Sequence, residues 1–389
     1  MSVQAPLRLL AAAKPSVPAA LLVAIATSTA VFAATPFLLP SVAETFGVGV
    51  GTAGLMSTTQ LAGFVVASWI GGRFLHPVRS VFVVGTLLGV AANLASALAP
   101  TFATLAALRF VSGLSLGLAA WIAWQAAFGD AGKTGDVAVV GPLVGVIVSP
   151  LIAVVLQSAG LRWLFAILAV VTALPLVFVR QVPRVDRLRP HHTRHRATRA
   201  ARVILVALGA LTLGGSSVFV YAASIGENLD GLTPLTVSLL FSGNALASIP
   251  SARWTGRRGP AGLWFLFTAI CALTIAVSRS GVLFGMALVG WGFVFFMGIP
   301  AAFSLLAARS NFPEERAGDA QAVMALGRVF GPLLGGALFA TGSTGTLGAV
   351  SASVMTVGAC LLLYVDRRRF VVVRQFGAWA RSVDATQHA

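Results

Sequence analysis

The sequence predicts an all-α membrane protein with twelve transmembrane helices in two pseudo-symmetric six-helix bundles. Three observations predict it. Apolar residues make up 57% of the 389 positions and charged residues only 10%, against about 25% charged in soluble domains. The apolar residues fall in runs of roughly 20, the length that crosses hydrocarbon as a helix. The basic residues between runs concentrate in every second loop, the pattern of cytoplasmic loops. A mean hydropathy of +0.91 fits no soluble class.

With charges, proline and glycine as punctuation, the first six runs cover 17–40, 51–73, 80–99, 102–127, 135–157 and 162–181. The second six cover 203–225, 232–252, 261–278, 281–307, 319–342 and 346–366. Arg8 and Lys14 precede the first run, which is too long for a signal-peptide core and is followed by further spans. It is read as the first transmembrane helix.

Orientation follows from Lys and Arg. With a cytoplasmic N-terminus, 23 of the 27 basic residues fall on the cytoplasmic side. The external loops hold only Arg162 and Arg279, and Arg109 and Arg328 lie inside spans. This bias predicts a multi-pass protein of the cell (inner) membrane with both termini cytoplasmic. The net charge of +16 is thereby assigned to loops beside anionic lipid and not to nucleic acid.

Four segments result: a first bundle over 1–181, a basic cytoplasmic linker over 182–202, a second bundle over 203–366 and a cytoplasmic tail over 367–389. Arg180–Arg202 carries eight arginines with His191, His192 and His195, read as a solvated basic loop and not a metal site. Cys271 and Cys360 lie in apolar runs and suggest neither metal nor disulfide. No metal or cofactor is expected, and the partners are a small molecule, the bilayer and protons, with the chain a monomer.

The halves repeat one another. Gly141-Pro142 opens GPLVG, and Gly331-Pro332 opens GPLLGG, 190 positions later. Arg73 and Arg253 are 180 apart, and Glu44 and Glu227 are 183 apart. A duplicated six-helix unit predicts a binding site near the midplane between the halves. Glycine lets helices approach and proline bends them, so Gly141, Pro142 and Gly145, with Gly331, Pro332 and Gly335, predict two thin helices able to rock.

Arg109 and Arg328 are the most informative residues. An arginine near the bilayer centre costs at least ~2.5–3.5 kcal/mol on insertion scales. None of the eleven acids falls mid-span. Either the arginines bind an anionic group directly, or they bond carbonyls and polar side chains. The titratable candidates for coupling are Glu44 and Glu227 at external mouths, with Asp130 and Asp136 at cytoplasmic ends. Polar and aromatic candidates for a cavity are Thr27, Ser28, Thr29, Gln60, Trp121, Trp124, Gln125, Tyr221, Asn244 and Trp291. Trp121, Trp124 and Gln125 share one helix face.

Over essentially its whole length the chain resembles the major facilitator superfamily. The loop after span two, GGRFLHPVRS, is similar to that family's G-x-x-x-D-R-x-G-R-R signature without its Asp, and ARWTGRRGP after span eight is a better copy. The resemblance implies a conformational role for Arg73, Arg79, Arg253, Arg257 and Arg258. RFVSGLSLG resembles the family's R-x-x-x-G motif and implies a coupling role for Arg109. GRVFGPLLGG resembles the Gly-Pro motif of drug–proton antiporters, on the equivalent helix of the second half, and YAASIGENLDGLTPLTVSLL looks like spans seven and eight of the twelve-span efflux branch. The resemblance implies a secondary active transporter working by alternating access, with proton-coupled efflux of a small organic compound. The alternative is an organic-anion importer or exchanger with Arg109 and Arg328 as its clamp. No H-E-x-x-H, nucleophile–base pair or phosphate-binding loop suggests an enzyme or an ATP-driven pump.

Overall fold

The computed structural model describes residues 17–127, 131–182, 195–254, 256 and 258–387, with the backbone alone for 131, 132, 134–136, 138, 314 and 368–387. His191 and His192 of the basic linker lie outside the described residues. Among the described residues there is no strand. The helices are α1 (Ala19–Phe46), the single turn α2 (Val50–Ala53), α3 (Leu55–Phe74), α4 (Arg79–Ala97), α5 (Phe102–Ala127), α6 (Ala131–Ala173), α7 (Arg199–Phe219), α8 (Ala222–Leu229), α9 (Pro234–Ala252), α10 (Ala261–Val277), α11 (Gly281–Ala308), α12 (Pro313–Phe339) and α13 (Thr344–Gln387). A 3₁₀ segment, Leu174–Gln181, continues α6.

Among the described residues ten segments are long and apolar enough to cross a membrane. Two features separate this from the twelve runs of the sequence. Val139–Gln181 is one 43-residue apolar segment, although Gly160 breaks its helix at φ 80°, ψ −178°. Only glycine takes that backbone conformation without steric cost, so one residue turns the chain between the fifth and sixth runs. The second feature is α10, apolar but only 17 residues long. The seventh run is also interrupted, because α7 stops at Phe219 and α8 begins at Ala222. The last helix continues past 366 to Gln387, so the described part of the tail is helical.

The molecule turns apolar side chains outward. Val177, Val282, Met286, Val170 and Ile147 are each more than 60% exposed. A soluble monomer does not carry so much exposed apolar surface, and hydrocarbon accepts it. The chain is a multi-pass membrane protein. Prolines 36, 40, 142, 150, 250, 300 and 332 all lie within helices, which membrane helices tolerate because neighbouring helices and side chains can take up the freed carbonyls.

Packing in the first half rests on small residues. A methyl group on Gly113 would overlap the carbonyl of Gln60, so α5 and α3 touch backbone to backbone there. The halves meet along two seams, α6 against α9 and α3 against α12. At the first seam Ser242 Oγ donates to the carbonyl of Val146 at 2.8 Å. At the second, α2 lies on α12.

Candidate functional site

Between the seams lies a cavity of about 410 Å³. That is the size of a pocket for a small organic molecule. Both halves line it: Phe32, Thr35 and Pro36 of α1; Ser57, Leu61 and Phe64 of α3; Thr212, Gly215, Ser216 and Phe219 of α7; Asn244 of α9; Trp291, Phe295 and Phe296 of α11; Arg328 of α12. The aromatic rings pack in pairs that hold one another in place. Phe32 meets Phe64 edge-on at 5.6 Å, and Phe219 meets Trp291 at 5.6 Å. Phe219 also meets Phe241 at 5.2 Å, which in turn meets Phe37 of the first half at 5.1 Å.

Arg328 is the one charged residue among those lining the cavity. Its side chain is open to that space, and it makes no hydrogen bond or ion pair among the described residues. A guanidinium carries five donors and always its charge. Here it faces a chamber whose walls are otherwise apolar or neutral. Asn244 stands across α9 with Nδ2 donating to the carbonyl of Leu288 at 2.6 Å. That bond holds the amide in place at the cavity wall.

Arg109 is placed quite differently. It is fully buried within the first half and does not line the cavity. Its Nη2 donates to Ser96 Oγ at 2.6 Å, to Asn93 Oδ1 at 3.0 Å and to the carbonyl of Ala92 at 3.4 Å. Its guanidinium carbon sits 4.7 Å from the centre of the Phe165 ring. Asn93 Nδ2 donates onward to Thr172 Oγ1 at 3.1 Å. One arginine thus ties α5 to α4 and, through Asn93 and Phe165, to α6. Among the described residues no carboxylate takes part: neutral dipoles at Nη2 and an aromatic face meet the charge, while Nε and Nη1 are buried without a hydrogen bond.

Of the other residues named from the sequence, Trp291 and Asn244 line the cavity. Gln60 is buried with its side-chain nitrogen unpaired. Trp121 is buried against Gly71, whose added methyl carbon would stand 2.7 Å from the indole. Trp124 is 45% exposed and Gln125 half-buried one turn further on. None of these four reaches the cavity. Thr27 and Ser28 return their hydroxyls to the carbonyl of Ala24. The polar residues of α1 that do face the cavity begin at Thr35, two turns on. Tyr221 is fully buried between the halves, outside the cavity wall.

The loop arginines are also unequal. Arg258 donates to the carbonyls of Ser251 and Trp254 and, across to α11, of Phe296, at 2.8, 2.9 and 2.9 Å. This staples the α9–α10 loop, and partial burial pulls the Arg258 guanidinium below its usual range. In the first half, Arg79 makes one such bond, to the carbonyl of Arg180 at 2.8 Å. Arg73 lies 5.2 Å over the Trp69 ring. Arg253 follows the last turn of α9, and Arg257 lies outside the described residues. In the Gly-Pro helices, a methyl group on Gly145 would meet Ala245 of α9 at 3.1 Å. Gly331 and Gly335 press on Ser216 and Ser217 of α7, and Gly141 stands near Thr29. Pro142 and Pro332 lie within α6 and α12.

Glu44 is exposed, and Glu227 is half-buried in α8, where burial pushes its carboxyl above the usual range. Asp130 lies outside the described residues, as does the side chain of Asp136. Among the described residues no carboxylate lines the cavity.

A cavity walled by both halves of a multi-pass helical bundle gives a transporter a place to hold its cargo. The profile of the Major Facilitator Superfamily matches residues 20–327, and the chain belongs to that family. The fold agrees. The structure of the human organic anion transporter MFSD10 (TETRAN) superposes with a TM-score of 0.64 at 16% identity, covering 88% of this chain and 97% of that one. The nucleoside transporter NupG, solved as a point mutant, superposes with a TM-score of 0.69 at 11% identity, covering 89% of this chain and 98% of that one. The comparison with curated proteins gives no significant match. Fold and family are those of a secondary transporter.

Proposed function

We propose that this protein carries a small amphipathic organic anion across the membrane by alternating access, with Arg328 as the group that recognises the charge. The observation that carries the reading is the unpartnered guanidinium in a cavity walled by phenylalanine and tryptophan. Such a site takes an apolar or aromatic body and one carboxylate, sulfate or phosphate. The organic anion transporter among the structural neighbours shares only 16% of its residues with this chain. Its cargo therefore lends little, and the weight rests on Arg328. In this reading Arg109 holds the first half together and is not half of an anion clamp.

The rest of the reading follows the topology. Counting the break at Gly160 and the short α10, the apolar segments make twelve spans in two bundles of six. The seams support a pseudo-two-fold, since α3 meets α12 and α6 meets α9. The loop charges support cytoplasmic termini in the cell membrane. The test is flux into proteoliposomes of an aromatic monocarboxylate. Saturable, counterflow-stimulated uptake supports the reading; uptake equal to that of empty liposomes refutes it.

Proton-coupled export is a second reading. Glu227 favours it, because its half-buried carboxyl keeps a proton at a higher pH than an ordinary glutamate would. An imposed pH gradient should then drive flux, and Glu227→Gln should uncouple it. Flux indifferent to the gradient in the unaltered protein removes this reading and leaves the anion site untouched.

A further inference from the structure

We infer that Tyr221 is the gate residue at the 47–54 end of the cavity, holding that end shut with its hydroxyl in a slot made of glycines from both halves. The inference goes beyond the cargo and rests only on the alternating-access part of the proposed function.

The local cause is the interruption of a helix. The chain stops α7 at Phe219 and restarts at α8, and Tyr221 sits in the junction. Its side chain is thereby directed across the bundle. The hydroxyl donates to the carbonyl of Pro332 in α12 at 2.9 Å and also faces the carbonyl of Gly51 in α2, at 3.3 Å. A single proton is shared between an acceptor in its own half and one in the other half. The residue is fully buried, so no water competes for that proton.

The slot is built for this side chain. A methyl group on Gly54 would overlap the Tyr221 hydroxyl, and one on Gly336 would stand 2.6 Å from it. One on Gly335 would stand 2.8 Å from the ring. Gly54 belongs to the first half, and Gly335 and Gly336 to the second. If the halves separate at this end, the bond to Gly51 and the fit around the phenol are lost together, and the slot opens. The GPLLGG run is therefore more than a bending device: its proline supplies the acceptor and its glycines supply the room.

A weak bond suits a gate, which must open in every cycle. One hydrogen bond of ordinary net strength shifts an open-to-closed ratio by about threefold to tenfold. Removing it should therefore tilt the cycle without unfolding the protein. The test is the distance between spin labels at Thr45→Cys and Thr341→Cys, both exposed at this end, in a chain whose Cys271 and Cys360 are replaced by serine. Tyr221→Phe keeps the ring and its volume. It should raise the population with the longer distance about threefold to tenfold. Gly54→Ala pushes on the hydroxyl from the opposite side and should shift the population in the same direction. If both variants keep the distance distribution of the unaltered protein, or Tyr221→Phe lowers melting temperature without changing it, the tyrosine is packing and the inference fails. The readout needs no cargo, so it stands apart from the test of anion recognition.

Discussion

Arg109 and Arg328 are both arginines in apolar helices, both without a carboxylate partner among the described residues, yet one is tied through Nη2 into its own half and the other bonds nothing and opens on a cavity. Arg109 gives its Nη2 to Asn93, Ser96 and Ala92, and its guanidinium carbon lies 4.7 Å over the Phe165 ring. Arg328 faces a 410 Å³ cavity and bonds nothing among the described residues. The difference teaches that the cost of an intramembrane charge can be met in two ways. The protein can supply the dipoles itself, which makes the arginine part of the frame. Or it can leave them to a visitor, which makes the arginine a binding group.

The largest effect that would break this comparison is on anion affinity. Arg328→Gln should weaken binding of an aromatic monocarboxylate by about 10- to 100-fold, since charge-assisted hydrogen bonds are worth about 1.5–3 kcal/mol. Its melting temperature should stay near that of the unaltered protein, because nothing in the frame depends on that side chain. Arg109→Ala should do the reverse. Stability in denaturant titration should fall by about 1–3 kcal/mol, from the lost bonds, the Asn93 Oδ1 left without its donor and the space left beside Phe165. Anion affinity, read by calorimetry, should stay within about twofold. A variant of Arg109 that lost affinity and kept its stability would erase the distinction. Asn93→Leu sharpens it: unfolding should become easier by about 1 kcal/mol, with affinity again unmoved. The smallest effect is at Asn244→Ala, where affinity should drop about threefold from loss of one neutral hydrogen bond.

Much of the frame was legible in the sequence, because membrane insertion writes itself in composition. The apolar runs, the basic loops and the two Gly-Pro stretches lead to the helices that the structure contains. The span count differs at two places: helix continues on both sides of Gly160, where the sequence separates the fifth and sixth runs, and α10 is only 17 residues long. The site was harder to read, for two physical reasons. Phe32, Phe64, Phe219, Phe295 and Phe296 line the cavity, but a phenylalanine in an apolar run looks the same whether it faces lipid, helix or cargo. The polar signals misdirect instead. Trp121, Gln60 and Tyr221 stand out in apolar runs, yet their surroundings are neighbouring helices: Gly71 for Trp121, the α5 contact at Gly113 for Gln60, backbone carbonyls for Tyr221. Which face of α5 carries Arg109 depends on where Asn93 and Ser96 stand on another helix, and spacing along one helix does not reveal it.

The central claim is that Arg328 reads a negative charge on the cargo. The direct measurement is the ratio of affinities for an aromatic carboxylate and its uncharged primary amide, taken on the unaltered protein and on Arg328→Gln. The account predicts that the unaltered protein prefers the carboxylate by about tenfold or more and that the variant binds the two within about twofold of each other. An unchanged preference in the variant would contradict it.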